Sequence, residues 1–403
     1  MARSRMIAAC LALAAGLVGC DKEPEPVPYL EVPTDPPTKA STSGPNAFDA
    51  YADLARRAER VSTVPLDARD TPATRRRSVD QLSAILLGLE AATKRDCAFR
   101  FEATGPFDER PHQMGWLYLG RAIGWRVEAA AKNREWFEAA RWAVVGTTFG
   151  LDLSGGSMSD ATAGFGALDG TRRALAPHIG LMDPGALAEL ASGLDAALAR
   201  LPEPATTIEN EGRLMLAAIS ALQDAHQAGK LKEFADKLYG APRDAVMALE
   251  DMPGIERSLF FQSLFDEQKL VVSRLLEAAS VPGSRRGPLT TQLSGRAQTI
   301  ADQFFSAGEP WLRIRDRVLA RTRLFALSAR IAHDKAVRGT VPESLAQYPA
   351  QSVSDPYTGL PFGYLGVGQD FLVYSYGMDG KDDRGDTDGA RLEPDLLLED
   401  SKN

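Results

Sequence analysis

Between Gly377 and Gly389 the chain sets five aspartates, Asp379, Asp382, Asp383, Asp386 and Asp388, among four glycines. Glycine and aspartate disfavour helix and strand alike, so this stretch must be loop, and regular structure has to end before it. Five carboxylates within ten residues repel one another. A folded loop there needs either a cation or full solvation. Ca²⁺ takes oxygens from carboxylates, backbone carbonyls and water, and glycines let carbonyls turn inward. The spacing is not that of an EF-hand, since carboxylates do not occupy alternate positions and no Glu closes the loop. Residue types leave a calcium-binding loop and a solvated acidic tail equally open.

Two aromatic and β-branched runs precede the loop, Leu360–Leu365 and Phe371–Tyr376. They predict a β-hairpin whose connection, Gly366–Asp370, has five residues. Upstream, Asp355-Pro-Tyr-Thr-Gly359 carries the Pro and Gly of a tight turn. Val341-Pro-Glu-Ser-Leu345, Asp355-Pro-Tyr-Thr-Gly-Leu-Pro-Phe362 and Tyr374-Ser-Tyr-Gly-Met-Asp-Gly380 together resemble the globular end of the major pseudopilin of type II secretion systems. The resemblance covers about the last 75 residues and implies a helix, a small sheet and a calcium-binding loop. It places Asp379, Asp386 and Asp388 where that family's loop aspartates fall. Ala390-Arg391 stands where the family has Asp-Ile, and Asp383-Arg384 where it has Gly-Gly, so Asp382 or Asp383 would have to replace a ligand. The prepilin cleavage site and hydrophobic N-terminal helix of a pilin are not seen, which marks the region as a borrowed module.

At the other end, Met1-Ala-Arg-Ser-Arg5 is basic and Met6–Val18 is an apolar run too short for a permanent span. This is the pattern of a secretory signal peptide. Leu17-Val-Gly-Cys20 resembles a bacterial lipobox, which implies cleavage after residue 19 and acylation of Cys20. Residues 20–45 follow as a tether holding seven prolines, too polar to bury a core. Cys10 leaves with the signal and Cys20 is taken by lipid, so Cys97 has no partner for an internal disulfide. It reads as a buried thiol behind the stripe Val79, Leu82, Leu86 and Leu89. The formal charge of −8 becomes −10 once Arg3 and Arg5 are removed, a poor balance for nucleic acid.

Residues 46–310 read as a succession of amphipathic helices. Asn46 caps the first, Ala47–Val61, and Asp183-Pro184 opens another behind which Leu187, Leu190, Leu194 and Leu198 form a stripe. Phe261, Leu264, Val271 and Leu275 mark a third. Trp116, Leu119, Gly120 and Ile123, with Trp136 and Ala139 behind them, resemble a tetratricopeptide repeat, although Lys132 and Val144 break its pattern and no second copy follows. The helical pairs and Glu209–Arg213 are similar to uncharacterised envelope proteins of planctomycetes and myxobacteria, a likeness that names no activity. The last helix, Trp311–Val337, has a stripe of Trp311, Ile314, Val318, Phe325, Ala329 and Ala332, with Arg313, Arg315, Arg317, Arg321, Arg323 and Arg330 on the remaining surface. Either it lies on an anionic membrane, or it packs between the two parts with its arginines answering the protein's own acids; the second reading is preferred because the pseudopilin-like module follows directly.

Catalytic motifs are sparse. His112, His178, His226 and His333 lie far apart, in no zinc-binding spacing. Gly155-Gly-Ser-Met-Ser159 lacks the second glycine of a nucleophile elbow. Glu209 and Glu211, at i and i+2, do not share a helix face. The expectation is therefore a mainly α protein, with a TPR-like or bundle body and a small pseudopilin-like α+β module over residues 311–403. It is expected at the cell envelope, anchored through lipid on Cys20, with a structural Ca²⁺ and a non-catalytic binding or scaffold role toward a protein partner. Association with a secretion or pilus-like machine belongs to that reading. The competing class is an envelope enzyme whose site gathers distant residues of the helical domain. A cleft with clustered buried acids and a histidine would favour the enzyme, a broad apolar groove the binder.

Overall fold

The computed structural model describes residues 45–99, 106–107, 112–289, 293–305, 308–386 and 395–398. The signal segment, Cys20, the tether and Asp388 lie outside the described residues. Among the described residues the protein is mainly helical, with one small antiparallel sheet near its C-terminus.

The first helices assemble around tryptophan. Helices α1 (Ala47–Val61), α2 (Pro72–Thr93), α3 (Gln113–Lys132), α4 (Trp136–Leu153), α5 (Met158–Leu175) and α6 (Pro184–Leu198) contribute to one core. Trp116 and Trp142 are its largest fully buried side chains. The expected stripe of α3, Trp116, Leu119, Ile123, Val127 and Ala130, all points into it. Asn46 does more than cap α1. Its Oδ1 accepts from Phe48 N at 3.2 Å and from Ala98 N at 3.0 Å, and its Nδ2 donates to Ala98 O at 2.8 Å. The start of α1 is thereby stitched to the segment after α2, where burial pushes the Cys97 thiol up and away from thiolate chemistry. Helices α1 and α3 approach so closely that a Cβ on Gly115 would stand 2.1 Å from the Ala55 carbonyl oxygen, and glycine alone fits there.

A second core gathers the end of α7 (Pro204–Gln227), α8 (Leu231–Ala235), α9 (Ala241–Met247), α10 (Gly254–Ala279) and α11 (Gly295–Phe304). A third cluster joins the two: Leu151, Met158 and Phe165 from α4 and α5 meet Ile208, Leu275 and Trp311.

Helix α12, the 31 residues Gly308–Arg338, belongs to two cores at once. Phe325, Ala326, Ala329 and Ala332 enter the tryptophan core. Leu324, Leu327 and Ile331 face the other way, against Leu345, Tyr348, Val353, Phe362 and Val373 of the C-terminal region. This corrects the single-stripe reading. From Leu319 to Ala332 the helix is buried almost all round, while Ile314 is 46% exposed. A period of 3.6 reports one buried face, and a helix wedged between two cores has two. Its arginines are not all surface groups either: Arg321 is buried and Arg315 and Arg323 are largely desolvated. Some answer the protein's own acids, as the preferred reading of this helix had it, while Arg323 donates to Ser354 O at 2.9 Å. Arg330 pairs with Asp195 on α6, and Arg315 lies 3.9 Å from Asp316.

After a short α13 (Ala350–Val353), β1 (Gly363–Val367) pairs antiparallel with β2 (Asp370–Ser375), and β3 (Leu396–Leu397) pairs with the far end of β2. The register sets Val367 against Asp370, so the hairpin loop is Gly368-Gln369 alone, not the expected five residues. Gly368 has φ +61° and Gln369 is not in the left-handed region, the pattern of a II′ turn with glycine first. The residues Gly366, Val367 and Asp370, expected in the loop, are drawn into the ladder by this tighter turn. The sheet is also pinned to the helical body by the turn Gly283–Arg285, whose Ser284 N and Oγ both donate to Tyr357 O, at 2.9 and 2.7 Å.

Candidate functional sites: an aspartate loop, a buried charge cluster and a groove

The aspartate loop is organised by hydrogen bonds to its own backbone. Asp379 Oδ1 accepts from Lys381 N at 3.0 Å, and Lys381 Nζ stands 3.7 Å from its other oxygen. Asp382 Oδ1 accepts from Tyr374 Oη at 2.8 Å and from Arg384 N at 2.9 Å. Burial, reinforced by that bond, pushes the Tyr374 phenol up. Asp383 and Gly385 donate their amides to Asp395 Oδ2, at 3.1 and 2.8 Å, and Asp386 N donates to Asp383 O at 3.2 Å. Arg384 takes a left-handed φ of +58° between Asp383 and Gly385, so strain is stored where the loop turns. Among the described residues no three acidic, histidine or cysteine side chains converge as a metal cluster. Asp379, Asp382, Asp383 and Asp386 share the loop without meeting at one point, and Asp388, with Cys20, lies outside the description. Sequence reasoning missed Asp395, which is 2% exposed and closes the loop from nine residues beyond Asp386.

Other buried acids do structural work. Asp355, with no exposed surface, accepts from Tyr357 N and Ser375 Oγ on one oxygen and from Tyr376 N on the other, at 2.9–3.0 Å. It ties the turn 355–359 to the end of β2, beneath Arg323 of α12. Burial nevertheless pushes its carboxyl up, against those three bonds. Asp316 on α12 holds Arg286, which also donates to Ala278 O at 2.6 Å and Val281 O at 3.1 Å. Near Cys97, Asp152 receives Tyr51 Oη at 2.7 Å and the Arg200 guanidinium at 3.0 and 2.8 Å. Burial raises this carboxyl to about 6, against the pull of Tyr51 and Arg200. Ser157 caps α5 with Asp160 in a capping box, and Glu211 accepts from Met158 N at 3.0 Å while Glu209 is exposed. The four histidines sit on separate elements: His112 lies tilted against Trp116, His178 lies near Trp136, His226 Nε2 is 3.2 Å from Leu249 O, and His333 neighbours Asp334.

The broad concavity lies elsewhere. A groove of about 990 Å³ runs between the 3-10 turn Ala176–Leu181, the C-terminal half of α12 and the β2–β3 edge. Ile179, Met182 and Leu187 form one wall, Ala332 and Ala336 the floor, and Phe371 the opposite wall. Charge is confined to its rim, where Lys335 Nζ lies 3.5 Å from Asp370. A second groove of about 760 Å³ separates α3 from α5, but there Arg121 covers Trp125 at 4.7 Å and spends its guanidinium on the carbonyls of Val64, Pro65 and Leu66. No family model matches this chain, and neither a curated protein nor a solved structure matches it.

Proposed function

We propose that this is a lipid-anchored protein of the bacterial cell envelope with a non-catalytic binding or scaffold role, receiving a protein partner in the groove beside β2. The observation that carries the reading is the groove itself. It is large enough for a ligand, walled by aliphatic and aromatic side chains, and charged only at the rim. The buried acids, by contrast, have their oxygens engaged in positions that hold helices and turns together, as binding scaffolds require and open catalytic sites do not. The seven-proline tether and Cys20 would hold this body at a distance from the membrane surface, and a secretion or pilus-like machine is the kind of partner the pseudopilin-like ending suits.

The test is capture from solubilised membranes. Wild-type protein should retain a discrete partner that Ala336→Glu loses and Leu117→Glu, in the other groove, keeps. Cys20→Ser should leave the detergent phase. If Ala336→Glu captures the same partner at the same yield, the groove is not the binding site.

The same reading includes a structural Ca²⁺ in the loop Gly377–Gly389, supported by its carboxylate density and by a backbone that turns through positive φ at Gly377, Gly380, Arg384 and Gly385. Asp379, Asp382, Asp383, Asp386 and Asp388 are the side chains that would hold it. Extracellular modules bind Ca²⁺ with a Kd on the order of 10⁻⁴ to 10⁻³ M. Stabilisation would reach about 1.9 kcal/mol with free Ca²⁺ near 25 times that constant. Millimolar Ca²⁺ should therefore raise the melting temperature, and Asp379→Ala or Asp388→Ala should remove the increment while Asp400→Ala keeps it. An unchanged melting temperature in the wild type would make the loop a solvated tail.

A further inference from the structure

The groove beside β2 follows a strand edge. Its strand wall is the unbroken run Gln369–Val373. A concavity on a sheet face meets every second residue, because neighbours point to opposite faces. Consecutive residues therefore mark the edge of β2, on the side away from β1. The helix wall is one stripe of α12, from Ser328 through Ala332 and Lys335 to Ala336, which covers about 12 Å of helix. About four residues of extended chain have that length. All of the stripe except Lys335 is small, which leaves room between helix and strand for side chains to enter.

The edge also carries backbone groups. In a two-residue hairpin the closing pair, Val367–Asp370, is hydrogen-bonded, so Asp370, Leu372 and Tyr374 turn their N–H and C=O groups toward β1. Phe362, just before β1 and of the opposite parity, bears out the alternation: its N–H donates away from β2, to Val353 O at 2.8 Å. Phe371 accordingly turns its N–H and C=O into the groove. Among the described residues no chain pairs with it on that side, since β3 reaches only Tyr374 and Ser375. Backbone groups at the wall of an apolar groove require a partner, and a strand edge is a template for another strand.

We infer that the groove takes an extended polypeptide segment by strand addition to β2, one residue of the segment exchanging N–H···O=C bonds with Phe371. The register sets what this segment carries. Paired residues share a face of the sheet, and Phe371 packs toward the helical body, so the residue paired with it is apolar. The residues on either side of it point to the other face, where Leu372 lies against Gly385 of the aspartate loop. Asp382, Asp383 and Asp386 make that side acidic, and basic residues complement it. The segment therefore alternates basic and apolar residues. The inference rests on the reading of the groove as a binding site and adds the mode of binding and the chemistry of the partner.

Selection of displayed random eight-residue peptides on the full chain tests it. Enriched peptides should alternate apolar and basic residues. N-methylation of the apolar residue that pairs with Phe371 should weaken binding by at least about tenfold, whereas methylation of either neighbour, whose N–H points away from β2, should not. Phe371→Pro removes the donor on the groove side and leaves the β1 ladder intact, so it should lose these peptides while Phe371→Leu keeps them, with unchanged circular dichroism as the check on folding. Enriched peptides with apolar residues three and four apart, methylation effects indifferent to parity, or no enrichment at all would overturn strand addition. Peptides whose binding ignores Ala336→Glu would lie outside the groove, and would overturn the reading of the groove itself.

Discussion

Asp316→Ala is expected to lower the unfolding free energy by about 3–5 kcal/mol, the cost of stripping one partner from a buried ion pair. Asp316 is 2% exposed and takes the Arg286 guanidinium on both oxygens, with Arg315 at 3.9 Å. Removing the carboxylate leaves two desolvated guanidinium groups near each other. Arg286 keeps its bonds to Ala278 O and Val281 O, which limits the loss toward the lower end. The cost belongs to the orphaned charge more than to the pair, so Asp316→Leu combined with Arg286→Met should recover a large part of it. Urea unfolding followed by circular dichroism measures all three. A single variant within 1 kcal/mol of wild type, or a double variant no better than the single, would show that the cluster is not a buried tie between α12 and the Gly283–Arg285 turn.

Asp152 should make the protein less stable as pH rises from about 4 to 7. Its carboxyl is raised from an ordinary 3.8 to about 6 because burial outweighs Tyr51 and Arg200. The folded state therefore binds this proton more tightly than the unfolded chain does. The associated stability is complete below pH 3.8 and is lost as pH passes through about 6. A shift of about two units corresponds to about 3 kcal/mol. Asp316 and Asp355 are shifted in the same direction, so the readout is the difference between wild type and Asp152→Asn, in which their contributions cancel. That difference should move toward the variant by about 2.4 kcal/mol between pH 4 and 7.5. A difference independent of pH would mean that Arg200 holds Asp152 ionised throughout.

Local grammar in the sequence was legible where one residue decides one element. Asn46 caps α1, Pro184 sits in the first turn of α6, and Trp116 fills the core as its place in a three-and-four stripe implies. What was not legible depends on pairs far apart in the chain. The hairpin loop shrank from five residues to two because register is settled by pairing across strands, not by composition along one. Ile314 was assigned to a buried stripe because a helix pattern carries no record of a second core on the opposite side. In the candidate site the five loop aspartates were visible, but Asp395, which gathers two of the loop's amides, looked like any acid in a polar tail. The groove had no signal at all. Its walls come from the 3-10 turn at Ala176, from α12 and from β2, segments separated by about 200 residues. Only the double burial of α12 brings them together.

That shared helix sets the groove between body and sheet, and the proposed role depends on the groove being where this chain meets another polypeptide. The most direct measurement is photo-cross-linking in intact membranes, with p-benzoylphenylalanine placed at Ala336 in the groove or at Leu117 in the other one. The account expects a single discrete adduct from position 336, weakened by an excess of groove-binding competitor, and none from position 117. The same adduct from both positions, or none from 336 while the protein is anchored and folded, would contradict it.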